Sequence, residues 1–226
     1  PSSWLYIGTG QTFRLLEFYH NPAVPAMRML DVPGDSALAQ ATQSRHIDSH
    51  ADFPYNPRQE VILVPNGLLS LLRKEFPLAW NGIHGISHWT RVRDNGLRLA
   101  RLTGASSEVV ELFAFLHDSQ RVNDGRDPDH GKRAAKFAAT PRGSFITLSD
   151  QDFVLLLYAC EHHTCGLTKA HVTVQTCWDA DRLDLGRVGI VPEVKRLCTP
   201  AAQDPAIIEW ALLQSQHAIM TSTPST

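Results

Sequence analysis

Histidine and aspartate recur through the middle of this chain in an order that could hold a metal ion. Of the eleven histidines, six lie at positions 84, 88, 117, 130, 162 and 163. Asp118 follows His117 directly, and Asp179, Asp181 and Asp184 cluster further on. Imidazole nitrogen and carboxylate oxygen together suit divalent ions such as Mn, Fe, Ni or Zn. The surroundings sharpen the point. His117 and Asp118 end an apolar run, Phe113, Ala114, Phe115 and Leu116. Asp181 is four residues from both Cys177 and Leu185, on an inward stripe. A carboxylate on such a stripe needs a cation beside it.

The elements that must position these groups read as helices. Asn66 is a plausible N-cap for "NGLLSLLRKEF", and Pro77 stops it. "HGISHWTRVRDNGLRLARLTG" sets Trp89, Val92, Gly96 and Leu99 near one stripe; His84 and His88 share a face if that helix starts early enough. "SSEVVELFAFLHD" opens on capping serines and "SDQDFVLLLYACEHH" on the pair Ser149 and Asp152. "HGKRAAKFAA" is a short helix ended by Pro141 and Gly143. "TVQTCWDADRLDLGRVG" reads as one helix, and Pro205 opens a last one. Residues 1–65 differ. "WLYIG" and "FRLLEFY" flank "TGQT" as a hairpin would, and a Pro-, Ser- and Asp-rich loop region follows. The expectation is a mainly α chain, with a small irregular appendage over 1–65 and a helical bundle over 66–226.

Bulk properties narrow the function. A chain of 226 residues with 43% hydrophobic content can bury a core without staples. Its formal net charge of -2 argues against a large nucleic-acid surface. No apolar stretch reaches membrane-span length, and the start lacks a signal-like pattern. The expectation is a cytoplasmic protein whose cysteines, at 160, 165, 177 and 198, are buried free thiols.

Three stretches resemble the HD superfamily of metal-dependent phosphohydrolases. "HGISHWTRV" is similar to that family's first-ligand helix, "FAFLHDS" to its His-Asp motif, and "DADRLDLGRVG" to its closing motif. The resemblance spans about residues 68–190 and implies an HD-type helical bundle. It also implies a first metal site of His88, His117, Asp118 and Asp181, with Asp118 bridging to any second ion. His130 and the pair His162 and His163 are the second-ion candidates. His130 also stands as an acid or phosphate contact, and His84 as a general acid or outer ligand. The implied cofactor is one or two divalent ions: Mn, Fe, Ni, Mg or Zn.

The implied chemistry is hydrolysis of a phosphate ester, a nucleotide or small phosphorylated metabolite, by metal-activated water. Lys132, Arg133 and Arg121 are the expected phosphate contacts, since cations must meet the phosphoryl oxygens. Arg182 and Arg187 flank the last motif, and Asp179 and Asp184 are expected to hydrogen-bond to ligand histidines or to arginines. A homodimer is compatible with the sequence. The same ligand order also fits a mixed-valent di-iron oxygenase, and a degenerate domain that only binds a nucleotide or partner is a third reading. "RHIDSHAD", with His46 and His50 four apart, reads as coincidence in a Pro-rich region.

Overall fold

The segment 107–116 fixes the architecture, because it is apolar on nearly every side. Ser106 caps it, its side chain accepting a hydrogen bond from the Val109 amide. Every residue from Val109 to Leu116 is buried. A helix with no polar face must lie at the centre of a bundle. In the computed structural model, which describes residues 3–9, 12–18, 31–32 and 64–221, this helix is α3 (Ser107–Leu116).

Around it stand α1 (Asn66–Glu75), α2 (Ile86–Thr103), α4 (His130–Ala138), α5 (Asp150–His162), α6 (Val172–Leu183) and α7 (Pro205–Thr221). α3 packs against α2, α4, α5 and α6. The main core joins Leu68, Leu72, Trp89, Val92, Phe113, Leu156 and Trp178. A smaller cluster of Leu99, Leu183, Leu197 and Ile207 seats α7. Close approach at the α2–α3–α6 crossing depends on Gly96. A Cβ there would lie 2.4 Å from Val110 Cγ1 and 3.3 Å from Ala180 Cβ.

Several helix ends match the sequence reading, and two details differ. Ser149 caps α5, and Gly104, at a φ of 74°, closes α2. The stretch expected as one helix over "TVQTCWDADRLDLGRVG" instead breaks after Leu183 into a 3-10 turn, Asp184–Val188. α2 begins at Ile86, so His84 lies in the turn before it rather than on its face. The cysteines are free, but only Cys160 and Cys177 are buried; Cys165 is exposed. No helix among the described residues is long and apolar enough to cross a membrane.

The chain divides into two compact units, residues 1–55 and 56–226. In the first, β1 (Ser3–Thr9) pairs antiparallel with β2 (Thr12–Phe18), Thr9 opposite Thr12, and β3 (Asp31–Val32) adds to β2. The loop region containing His46 and His50, and His20, lie outside the described residues.

The Gly96 crossing gives a sign test. In an open helix Gly→Ala gains about 1 kcal/mol. Here the added methyl meets buried side chains that cannot retreat, so Gly96→Ala should lower unfolding stability by roughly 1–3 kcal/mol in urea titration. A stabilised variant would show that the crossing is loose.

Candidate metal centre

The site begins where α3 ends. Having no polar face, α3 carries its last residues into the centre of the bundle, and there His117 and Asp118 stand almost wholly buried. The first turns of α2 bring His88, 0% exposed, against them, and the last turn of α6 brings Asp181. His88 Nε2 lies 3.1 Å from His117 Nε2, 3.6 Å from Asp118 Oδ2 and 3.5 Å from Asp181 Oδ1. His117 Nε2 lies 3.8 Å from Asp118 Oδ2 and 3.6 Å from Asp181 Oδ1. Four donors each about 2.0–2.2 Å from one ion would sit roughly 3–3.6 Å apart. The spacings of the two histidines from each other and from each carboxylate fit a divalent ion, and His88, His117 and Asp181 form one such group by themselves.

A second half of the cluster meets the other oxygen of Asp118. His130 Nε2 is 3.0 Å and His163 Nε2 3.6 Å from Asp118 Oδ1, and the two ring nitrogens are 2.8 Å apart. Gly131 allows this approach. A Cβ at that position would stand 2.6 Å from the carbonyl oxygen of Cys160 and 2.9 Å from that of Glu161, so only glycine lets the start of α4 press against the end of α5. His84 Nδ1 donates to Asp118 Oδ2 at 2.9 Å. Asp118 therefore faces His88, His117 and His84 with one oxygen and His130 and His163 with the other.

The imidazole orientations follow from their outer partners. His88 Nδ1 donates to Asp184 Oδ2 at 2.7 Å. His117 Nδ1 points to the Phe113 and Ala114 carbonyls, His163 Nδ1 to Cys160, and His130 Nδ1 to the carbonyl of Asp127. A carbonyl or carboxylate partner at Nδ1 selects the tautomer that leaves a lone pair on Nε2. These lone pairs converge on one another and on two carboxylates. Such an arrangement needs a cation in its midst.

Behind His88, Asp184 is fixed in turn. It accepts from Arg91 Nε at 2.6 Å and Nη2 at 3.1 Å, and from Ser215 Oγ at 3.0 Å, while Arg187 Nη1 binds its backbone carbonyl at 3.1 Å. The break after Leu183 makes this possible, since it turns Asp184 back toward α2. Asp184 thus meets both kinds of partner expected of it, a ligand-type histidine and arginines.

Other residues stand differently from the sequence expectation. His162 is not brought to the cluster. Successive helix positions point about 100° apart, so with His163 inward His162 lies half-buried against the Tyr158 ring at 4.5 Å. Asp179 bonds instead to the Cys198 and Thr199 amides and the Thr199 hydroxyl, ordering the chain after α6. Lys132 is exposed and 3.8 Å from Asp129. The Arg133 guanidinium is committed to Asp127 at 2.5 Å and the Gln120 carbonyl. Arg182 binds the carbonyls of Arg196 and Leu167. Arg121 does reach the site: its Nη1 is 3.5 Å from Asp118 Oδ1 and 3.3 Å from His130 Nε2. Arg91 and Ser215 escaped the sequence reading. Arg91 carried a signal, being three residues from His88 on the same helical face; Ser215 carried none.

Burial and charge set the protonation behaviour. Burial pushes Asp118 upward, but His117 and the adjoining His130, His163 and His84 rings outweigh it, holding the carboxyl well below the usual range. Burial likewise raises Asp181, and His117, His88 and His163 more than reverse it. His117 is driven down to about 3, chiefly by burial. Burial also lowers His88 and His163. Asp118 and Asp184 overcome it at His88, Asp118 and Asp181 at His163, and both end above the ordinary 6.5. The side chain of Asp181 is 19% exposed, against 0–3% for His88, His117, Asp118, His130 and His163. The cluster opens to solvent past Asp181.

The arrangement defines a class: an all-helical domain with a buried His/Asp cluster suited to a divalent ion. The particular fold is the HD type. The chain is similar to a crystal structure described as a predicted HD superfamily hydrolase from an uncultured Thermotogales bacterium. The identity is 21% and the TM-score 0.51, over 69% of this chain and 88% of that one. No family model matches the sequence, and no curated protein matches it.

The raised His88 gives a pH dependence. Protons compete with metal for its Nε2, and in the metal-free protein that competition starts above pH 6.5. Bound metal, measured by elemental analysis after gel filtration, should be complete at about pH 8 and largely lost at about pH 5.5. Equal metal content at both values would contradict the tautomers assigned here.

Proposed function

We propose that the protein is a metal-dependent hydrolase of phosphate esters, with a nucleotide or small phosphorylated metabolite as substrate. The observation that carries the reading is that His88 Nε2 and His117 Nε2 stand 3.1 Å apart and each lies 3.5–3.8 Å from both Asp118 Oδ2 and Asp181 Oδ1, with Asp181 the more exposed carboxylate. The solved structure of similar fold, described as a predicted hydrolase, supports it. A divalent ion in this set would supply Lewis acidity toward a phosphoryl oxygen and acidify a bound water.

The chain's own residues then divide the work. His88, His117, Asp118 and Asp181 would hold the ion, and Asp184 fixes the His88 ring through Nδ1. The Asp118 carboxylate keeps its negative charge and accepts the Nδ1 proton of His84. His84, beside the exposed Ile83, would give a proton from Nε2 to the leaving oxygen when its ring carries both protons, Nδ1–H staying on Asp118. Arg121 stands next to Asp118 as the cation nearest the phosphoryl group. Lys132 and Arg133 have other partners and take no part. His130 and His163 orient Asp118 from its other oxygen.

The test is phosphate release from a panel of mono- and diesters with Mn, Ni, Mg, Zn and Fe. Asp118→Ala should abolish metal-stimulated release. Asp184→Asn should weaken metal affinity roughly 10–100-fold while leaving the chemistry available at saturating metal. Unchanged release by Asp118→Ala would sink the assignment. Two bound irons with an oxygen-sensitive mixed-valent signal and no phosphate release would favour the oxygenase reading.

A further inference from the structure

The second half of the cluster has a cation already in place. Arg121 is 8% exposed, and its guanidinium is held on three sides. Nη2 donates to the Gly125 carbonyl at 2.7 Å, and Nε to the Asn123 carbonyl at 3.4 Å. Nη1 points inward, 3.3 Å from His130 Nε2 and 3.5 Å from Asp118 Oδ1. The loop that carries it is clasped as well. Asp127 Oδ2 accepts from the Val122 amide at 2.9 Å and from Arg133 at 2.5 Å. The guanidinium is therefore not a solvated side chain resting near the site by chance. It donates to two of the three atoms, His130 Nε2, His163 Nε2 and Asp118 Oδ1, that a second ion would need.

We infer that Arg121 occupies the second half-site as a resident cation, so that the protein binds one divalent ion tightly and takes a second only by expelling the Arg121 side chain. This rests on the metal-site reading above and extends it. Two arguments support it. Arginine stays protonated at any working pH, so a second ion bound to His130 and Asp118 would face a fixed positive charge within a few ångström, where like charges repel strongly. The half-sites also differ in charge. The first has Asp181 and a share of Asp118, whereas the second has two imidazoles, which bring no negative charge, and only the other share of Asp118. Arg121 supplies the charge that balances the second half without a metal. Its clasped loop means that expelling it breaks the hydrogen bonds to Gly125 and Asn123 as well.

The experiment is Mn2+ titration of the metal-free protein by calorimetry, with elemental analysis after gel filtration. The wild type should retain one Mn2+, with any second event at least about tenfold weaker. Arg121→Met, checked for folding by circular dichroism, should retain two and show an exchange-coupled Mn2+ spectrum. His163→Ala offers a route that leaves Arg121 untouched: it should still retain one ion, since His163 holds none in the wild type. Two ions of similar affinity in the wild type would overturn the inference. So would a drop from two ions to one in His163→Ala, or a folded Arg121→Met that retains only one. A wild type that binds no Mn2+, Ni2+, Zn2+ or Fe2+ would overturn the metal-site reading itself, a separate failure.

Discussion

The structure depends on keeping several Nε2 lone pairs and two carboxylates face to face inside an apolar bundle. His88, His117, His130 and His163 each direct Nδ1 at an oxygen on the outer side of the cluster. None can turn its ring without abandoning that bond. The inward nitrogens repel one another and the oxygens of Asp118 and Asp181 until a cation lies among them. Holding such a set requires outer bonds and packing that exceed the repulsion. That is why Phe113 stacks on the His117 ring at 4.9 Å, and why Asp184 is gripped by Arg91, Arg187 and Ser215 together.

Each part of the scaffold serves that constraint. From Val109 to Leu116 α3 is buried and apolar apart from Glu111, which is paired with Arg93, so its C-terminal end lies in the middle of the bundle, and His117 and Asp118 go with it. Gly96 brings α2 against α3 and α6, setting His88 and Asp181 across from His117. Gly131 presses α4 against the end of α5, setting His130 beside His163. The break after Leu183 joins the site to α7, because Asp184 bonds at once to α2 through His88 and Arg91 and to α7 through Ser215.

The central helix and its His-Asp end were legible because an unbroken apolar run followed by two ionisable groups allows few other placements. Asp181 was legible from helical periodicity, and His88 from the resemblance of its stretch to a known first-ligand helix. The choice between His162 and His163 was not, because α5 has weak amphipathicity near its end and both faces there meet other side chains. Spacing would set His84 on the face of His88 only if the helix began early enough; it begins at Ile86, and His84 reaches Asp118 from a turn closed by the bond of the Ile86 amide to the Trp80 carbonyl. Asp179 shows the limit of composition. It sits beside the site in sequence but faces the opposite way, toward the amides of Cys198 and Thr199. The arginines were least legible of all. Their charge is plain in the sequence, but whether a guanidinium meets a ligand, a loop carbonyl or solvent depends on loop geometry that no periodicity encodes.

Charge then separates the two halves of the cluster. A divalent ion among His88, His117, Asp118 and Asp181 would neutralise both carboxylates. Asp184 carries one negative charge against Arg91 and Arg187. Among the described residues Arg121 has the shared Asp118 as its acidic partner. The sum over these groups is positive although the whole chain carries -2. In a buried site with one exposed side, that excess acts at short range and is weakly screened. It favours an anion over a neutral ligand arriving past Asp181, as the proposed phosphate ester requires, and it disfavours further cations, as the proposed single metal ion requires.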